Sequence, residues 1–116
     1  MTQATIYHNP RCSKSRETLA LLEQQGCQIT VVEYLKAVPS ADDIRTLLTK
    51  LNLTARQLMR TKEDEYKELG LADANLSEEA LIEAMIATPK LIERPIVLAN
   101  DKAVIGRPPE NVLTIL

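Results

Sequence analysis

The sequence predicts an α/β fold built on a mixed four-stranded sheet, and three features carry that prediction. A strand, a helix and a second strand follow one another within the first 34 residues. A block of helical periodicity then occupies roughly residues 40 to 88. The chain closes with a hairpin and a short helix. Strand–helix–strand in about thirty residues is the signature of a right-handed parallel βαβ unit.

The elements follow in order. Ala4-Thr5-Ile6-Tyr7 is rich in β-formers and reads as the first strand. A helix is expected to begin near Ser13 to Ser15, run through Leu19, Ala20 and Leu22, and stop where Gly26 permits a left-handed turn. The segment "CQITVVEY" is the second strand, and its continuous apolar run is that of a strand buried on both faces. In the next block, Ser40 and Asp43 form a capping-box pattern, with Ile44, Leu47, Leu48 and Leu51 at helical spacing. Thr54 with Gln57 opens another helix. "KEDEYKELG" forms a solvated third helix closed by Gly70. Ser77 caps a fourth, with Leu81, Ile82, Met85 and Ile86 inward and Pro89 as its end. Ile96 to Ala99 and Ala103 to Ile105 flank an Asn100-Asp101 turn, a hairpin signal. Pro109 suits the first turn of a last helix through Val112, Leu113 and Leu116. The order β-α-β, helical insertion, β-β-α is that of a thioredoxin-like fold, expected as one domain over residues 1 to 116.

Composition narrows the function. With 45% hydrophobic and 26% charged residues the chain has the profile of a globular protein. It has no apolar run of about 18 residues and no signal-peptide pattern at "MTQATIYHNP", so a cytoplasmic protein without membrane association is expected. A formal net charge of -2 and an aromatic content of 3%, all tyrosine, argue against nucleic acid as a partner. Two cysteines separated by fourteen residues make neither a metal site nor a disulfide framework. Residues 8 to 16 nevertheless hold His8, Arg11, Lys14 and Arg16 with no acid.

That cluster surrounds Cys12. If the third strand lies antiparallel beside the first, Arg94 and Pro95 start at the edge where the first strand ends. Arg107 then closes the fourth strand at that same edge. Topology thus gathers His8, Arg11, Cys12, Arg94 and Arg107. A cysteine at a helix N-terminus meets unpaired amides and the positive end of the helix dipole. Basic neighbours add to this, lowering a thiol pKa toward roughly 3.5–7.5. The same amides and arginines suit a tetrahedral oxyanion. Ser15 stands where a dithiol oxidoreductase has its second cysteine, and is a candidate donor to the thiolate. Cys27 lies beyond the far end of the helix, some 15–20 Å away at about 1.5 Å per residue. A disulfide needs Cα atoms within roughly 7 Å. The second sulfur is therefore external. The C-x5-R loop of phosphatases is absent, because position 18 is Thr18.

The segments "YHNPRCSKSRETLALL", "ERPIV" and "IGRPPE" resemble the glutaredoxin-linked arsenate reductase family, over essentially the whole chain. The resemblance implies that Cys12 attacks arsenate, that glutathione joins the adduct as co-substrate, and that arsenite leaves. Glutaredoxin then reduces the cysteine–glutathione disulfide. It further implies that Arg60 in "LMRTK", Arg94 and Arg107 bind the oxyanion, and that Pro95 follows a cis peptide bond; Arg11, from the basic loop, is a further candidate to bind it. No bound cofactor or metal is expected, and a monomer is. Two other classes share the fold: regulators of the Spx type, which generally use a C-x-x-C switch, and thiol oxidoreductases acting on glutathionylated substrates.

Overall fold

A computed structural model describes residues 2–116. The chain forms two compact units, one made of residues 2–37 and 94–116, the other of residues 38–93. The first carries a four-stranded sheet. Strand β1 (Gln3–Tyr7) leads through helix α1 (Ser13–Gln24) to β2 (Gln28–Val32). After the second unit come β3 (Ile96–Ala99) and β4 (Lys102–Ile105), then a 3₁₀ segment over Pro109–Thr114. The strand order is β2-β1-β3-β4. β1 runs parallel to β2, with Ile6 opposite Val31, and antiparallel to β3, with Ile6 opposite Val97. β3 and β4 pair antiparallel, with Val97 opposite Val104. This is the thioredoxin-like order expected from the sequence.

The core of this unit is built by Ala4, Ile6, Leu22, Val97, Ala99, Val112 and Ile115, with Leu19, Cys27, Ile29 and Val104 packed against it. Cys27 is thus a partly buried hydrophobe, the ordinary behaviour of a free cysteine. Two expectations need correction. β2 is an edge strand rather than one covered on both faces, and Val31 is 45% exposed. An uninterrupted apolar run cannot distinguish the two, because side-chain pattern does not encode which strand lies at the end of a sheet. The last helix is 3₁₀ rather than α, and Leu113 is exposed. The hairpin turn places Asn100 at φ 52° and Asp101 at φ 63°. Both central residues are left-handed, as a type I′ turn requires.

The second unit is helical. It holds α2 (Ala41–Leu51), α3 (Ala55–Leu58), α4 (Asp64–Glu68) and α5 (Glu78–Ala87), followed by a 3₁₀ turn over Pro89–Leu91. It is slightly longer than the insertion expected at 40 to 88. Ile44, Leu47, Leu48, Leu58, Leu81, Ile82 and Met85 are buried. Capping boxes close the starts of α2 and α3. Ser40 Oγ accepts from the Asp43 amide at 3.1 Å and Asp43 returns the bond at 3.1 Å. Thr54 and Gln57 repeat the arrangement. Ser40→Ala should lower stability by about 1 kcal/mol, the usual worth of an N-cap, read as a shifted urea midpoint with an unchanged slope.

Candidate functional site: a cysteine at the start of α1

Beyond Tyr7 the chain leaves the sheet. His8 still donates its amide to Val32 O at 2.8 Å, and the Cys12 amide returns to Asn9 O at 3.0 Å. This tight loop delivers Cys12 to the N-cap of α1, where its carbonyl accepts the first helical bond from Arg16 at 3.0 Å. The sulfur makes no tight capping bond as a neutral thiol, and the side chain is 9% exposed.

Several influences act on that thiol. Burial is the largest and opposes ionisation. The backbone amide of Ser15, the charge of Arg94, the amide of Lys14 and the charge of Arg107 together outweigh it, so the pKa falls below the ordinary thiol value. Arg107 Nη2 lies 3.4 Å from the Cys12 sulfur, while its Nε donates to Arg94 O at 2.7 Å. One arginine is therefore tied to the backbone of the other and aimed at the sulfur. Arg94–Pro95 is a cis peptide bond, and so is Arg107–Pro108, which the sequence reading did not anticipate.

His8 and Ser15 are both buried, at 6% and 0% exposed. Their side chains meet, His8 Nδ1 to Ser15 Oγ, at 2.6 Å, and the Asn9 amide donates to the same hydroxyl at 3.0 Å. The hydroxyl of Ser15 is thus engaged by the loop, and it is the Ser15 backbone amide that favours the thiolate. Burial lowers the His8 pKa, Glu33 opposes this and Arg16 reinforces it, so the net direction is down. A lowered pKa leaves His8 neutral at pH 7. Its part beside Cys12 is then orientation of the loop through Ser15 rather than charge.

The remaining candidates have partners of their own. Arg11 is exposed and fixed only through its amide, which donates to Asn9 Oδ1 at 3.0 Å. Arg16 binds Pro10 O at 2.9 Å and Lys14 pairs with Glu17 at 3.6 Å. Arg60 belongs to the second unit. There its guanidinium meets Glu63 at 2.5 Å and lies 3.9 Å from Glu93, and its amide bonds Leu91 O at 2.7 Å. Thr18, with the glycine it meets, is the element the sequence reading passed over. The signal available was a glycine immediately before Arg107.

A lowered thiol pKa has two measurable consequences. Alkylation of Cys12 by iodoacetamide should rise with pH along a curve whose midpoint is below the roughly 8.5 of a free thiol, with Cys27 reacting more slowly. The second concerns folding. Between the lowered folded value and the ordinary unfolded value, the unfolded chain binds more protons, so stability should rise with pH across that interval. It is lost as pH falls through the folded value. Urea titrations at a series of pH values check this against the Cys12→Ser protein, in which the slope is absent.

A thioredoxin-like sheet with an ionisation-favoured cysteine at the N-terminus of its first helix defines the class of thiol-based redox proteins. The family is more specific. The chain matches the ArsC family over residues 7–115 and belongs to it. It is 63% identical over 115 residues to a protein of Escherichia coli (strain K12) called YfgD, covering 98% of this chain and 97% of that one. It is 50% identical over 117 residues to the arsenate reductase of Neisseria meningitidis serogroup B, covering 100% of both. The solved structure of arsenate reductase from Vibrio cholerae superposes with a TM-score of 0.96 at 55% identity, covering 99% of this chain and 98% of that one.

Proposed function

We propose that this chain is an arsenate reductase that draws its electrons from glutathione and glutaredoxin. The observation that carries the reading is the guanidinium of Arg107 set 3.4 Å from the sulfur of Cys12. A cation in that position favours the attacking thiolate and can hold the oxygens of the group it attacks. Similarity to proteins named arsenate reductase supplies the substrate.

The sequence of steps conserves atoms and electrons. The Cys12 thiolate attacks arsenic(V) and displaces one oxygen as water once protonated, giving a sulfur–arsenic bond. Arg94 and Arg107 neutralise the remaining oxygens. Glutathione joins the adduct, its sulfur bonding to arsenic while its thiol proton goes to a second oxygen that leaves as water. A disulfide forms between Cys12 and glutathione, each sulfur giving up one electron. The pair passes to arsenic, which leaves as arsenite at oxidation state three. Glutaredoxin then accepts the glutathionyl group and returns Cys12 to the thiolate. Cys27 takes no part, since it packs against the core beyond the far end of α1.

The test is NADPH oxidation with arsenate, glutathione, glutathione reductase and glutaredoxin, run beside a second reaction in which thioredoxin and its reductase replace that system. Arsenate-dependent turnover in the first alone is the expected result. Turnover in the second alone would reassign the electron donor. Turnover in neither, while Cys12 still alkylates with a low midpoint, would remove arsenate as substrate.

A further inference from the structure

Gly106 is buried, and its backbone is not in the left-handed region, so conformational freedom is not why glycine stands there. Space is the reason. A methyl group at this position would lie 2.6 Å from Thr18 Oγ1, 2.9 Å from Pro95 Cγ and 3.0 Å from Thr18 Cγ2. Separations under about 3 Å between non-bonded heavy atoms of this kind are repulsive, and a close-packed interior has little slack to absorb them. Thr18 is 0% exposed, and its hydroxyl donates to Lys14 O at 2.7 Å, one turn earlier on α1. The same oxygen lies 3.4 Å from Gly106 O. Helix α1 and the end of β4 therefore touch backbone to side chain, with no intervening atom.

The residue after this contact is Arg107. Its placement is over-determined on the side of the strand. The Gly106 amide donates to Pro95 O at 2.9 Å, and the Arg107 amide to Ile105 O at 2.9 Å. Asn111 Nδ2 donates to Arg107 O at 3.0 Å. On the side of the helix that carries Cys12, this segment meets Thr18 through Gly106. We infer that Thr18 and Gly106 are positioning residues, a steric lock that fixes the separation between α1 and the Arg107 backbone and so holds the Arg107 guanidinium against the Cys12 sulfur.

The lock stands or falls independently of arsenate as substrate, because Cys12 itself reports on it. Gly106→Ala pushes the Arg107 segment away from α1. The Cys12 thiolate absorbance near 240 nm should then titrate at higher pH than in the parent, while circular dichroism stays native. Where the arsenate assay is active, kcat/KM should fall about 10- to 100-fold, the order expected when a misplacement of about 1 Å disturbs a reacting pair. Thr18→Ala removes two of the three atoms in the way, so Gly106→Ala/Thr18→Ala should titrate closer to the parent than Gly106→Ala does. A merely structural role would lower stability in each variant without moving the Cys12 titration. A folded Gly106→Ala protein with the parent's titration overturns the inference. Should Gly106→Ala not fold, the double variant decides. A folded double variant with a parent-like titration supports the lock. One that also fails to fold, or that titrates high, overturns it.

Discussion

Cys12→Ser is expected to leave a folded protein with no arsenate-dependent NADPH oxidation above background, a loss of about a thousandfold or more. The reasons for the two halves of that outcome differ. Folding is preserved because residue 12 is the N-cap of α1, a position serine fills better than cysteine, and its hydroxyl can accept from the Ser15 or Lys14 amide. Activity is lost because the environment that lowers a thiol pKa does not bring a hydroxyl near ionisation at neutral pH, and only the anion attacks arsenic. Cys27 cannot substitute, because it lies beyond the far end of α1 from the site. Retention of even a tenth of the parent rate would move the nucleophile elsewhere.

Arg107→Ala should be nearly as damaging, by about 10²- to 10³-fold in kcat/KM, the cost of removing one donor that stabilises developing negative charge. Two losses combine. The thiol loses a cation 3.4 Å from its sulfur, so its titration moves up, and the oxyanion loses a planar fork. Stability should change far less than activity, because the residue is exposed. Arg107→Lys separates the two effects. It keeps the charge near Cys12 but gives up the Nε bond to Arg94 O, so the thiol titration should recover more than the turnover does. Recovery of both to the parent level would argue that charge alone matters.

Much of the fold was legible in the sequence because its signals are local. The β-former run at Ala4 to Tyr7, the capping box at Ser40 and Asp43, and the Asn100-Asp101 turn each reflect chemistry within four or five residues. The neighbours of Cys12 were legible for another reason. Parallel and antiparallel pairing fix which strand ends share an edge, so Arg94 and Arg107 followed from topology before any coordinate was known. What escaped depends on relations between distant elements. The edge position of β2 is set by strand order, not by its own residues. The engagement of the Ser15 hydroxyl by His8 is a matter of side-chain direction inside a loop. Thr18 against Gly106 joins positions 88 residues apart in the chain. Arg60 came from resemblance alone, and in its own unit it sits among the carboxylates of Glu63 and Glu93.

The pairing of Ile6 with Val97 spans almost the whole chain, and it has a consequence for the order in which reactivity is acquired. Contacts this distant in sequence form late, since loop closure has to be met before they stabilise anything. During synthesis Cys12 precedes Arg94 by 82 residues and Arg107 by 95. Only the amides of Ser15 and Lys14 are then available to favour its anion. A chain that stops short of Arg94 should therefore alkylate at Cys12 with a midpoint nearer the ordinary thiol value than the folded protein does. In this arrangement the nucleophile is armed only once β3 and β4 have brought Arg94 and Arg107 to it.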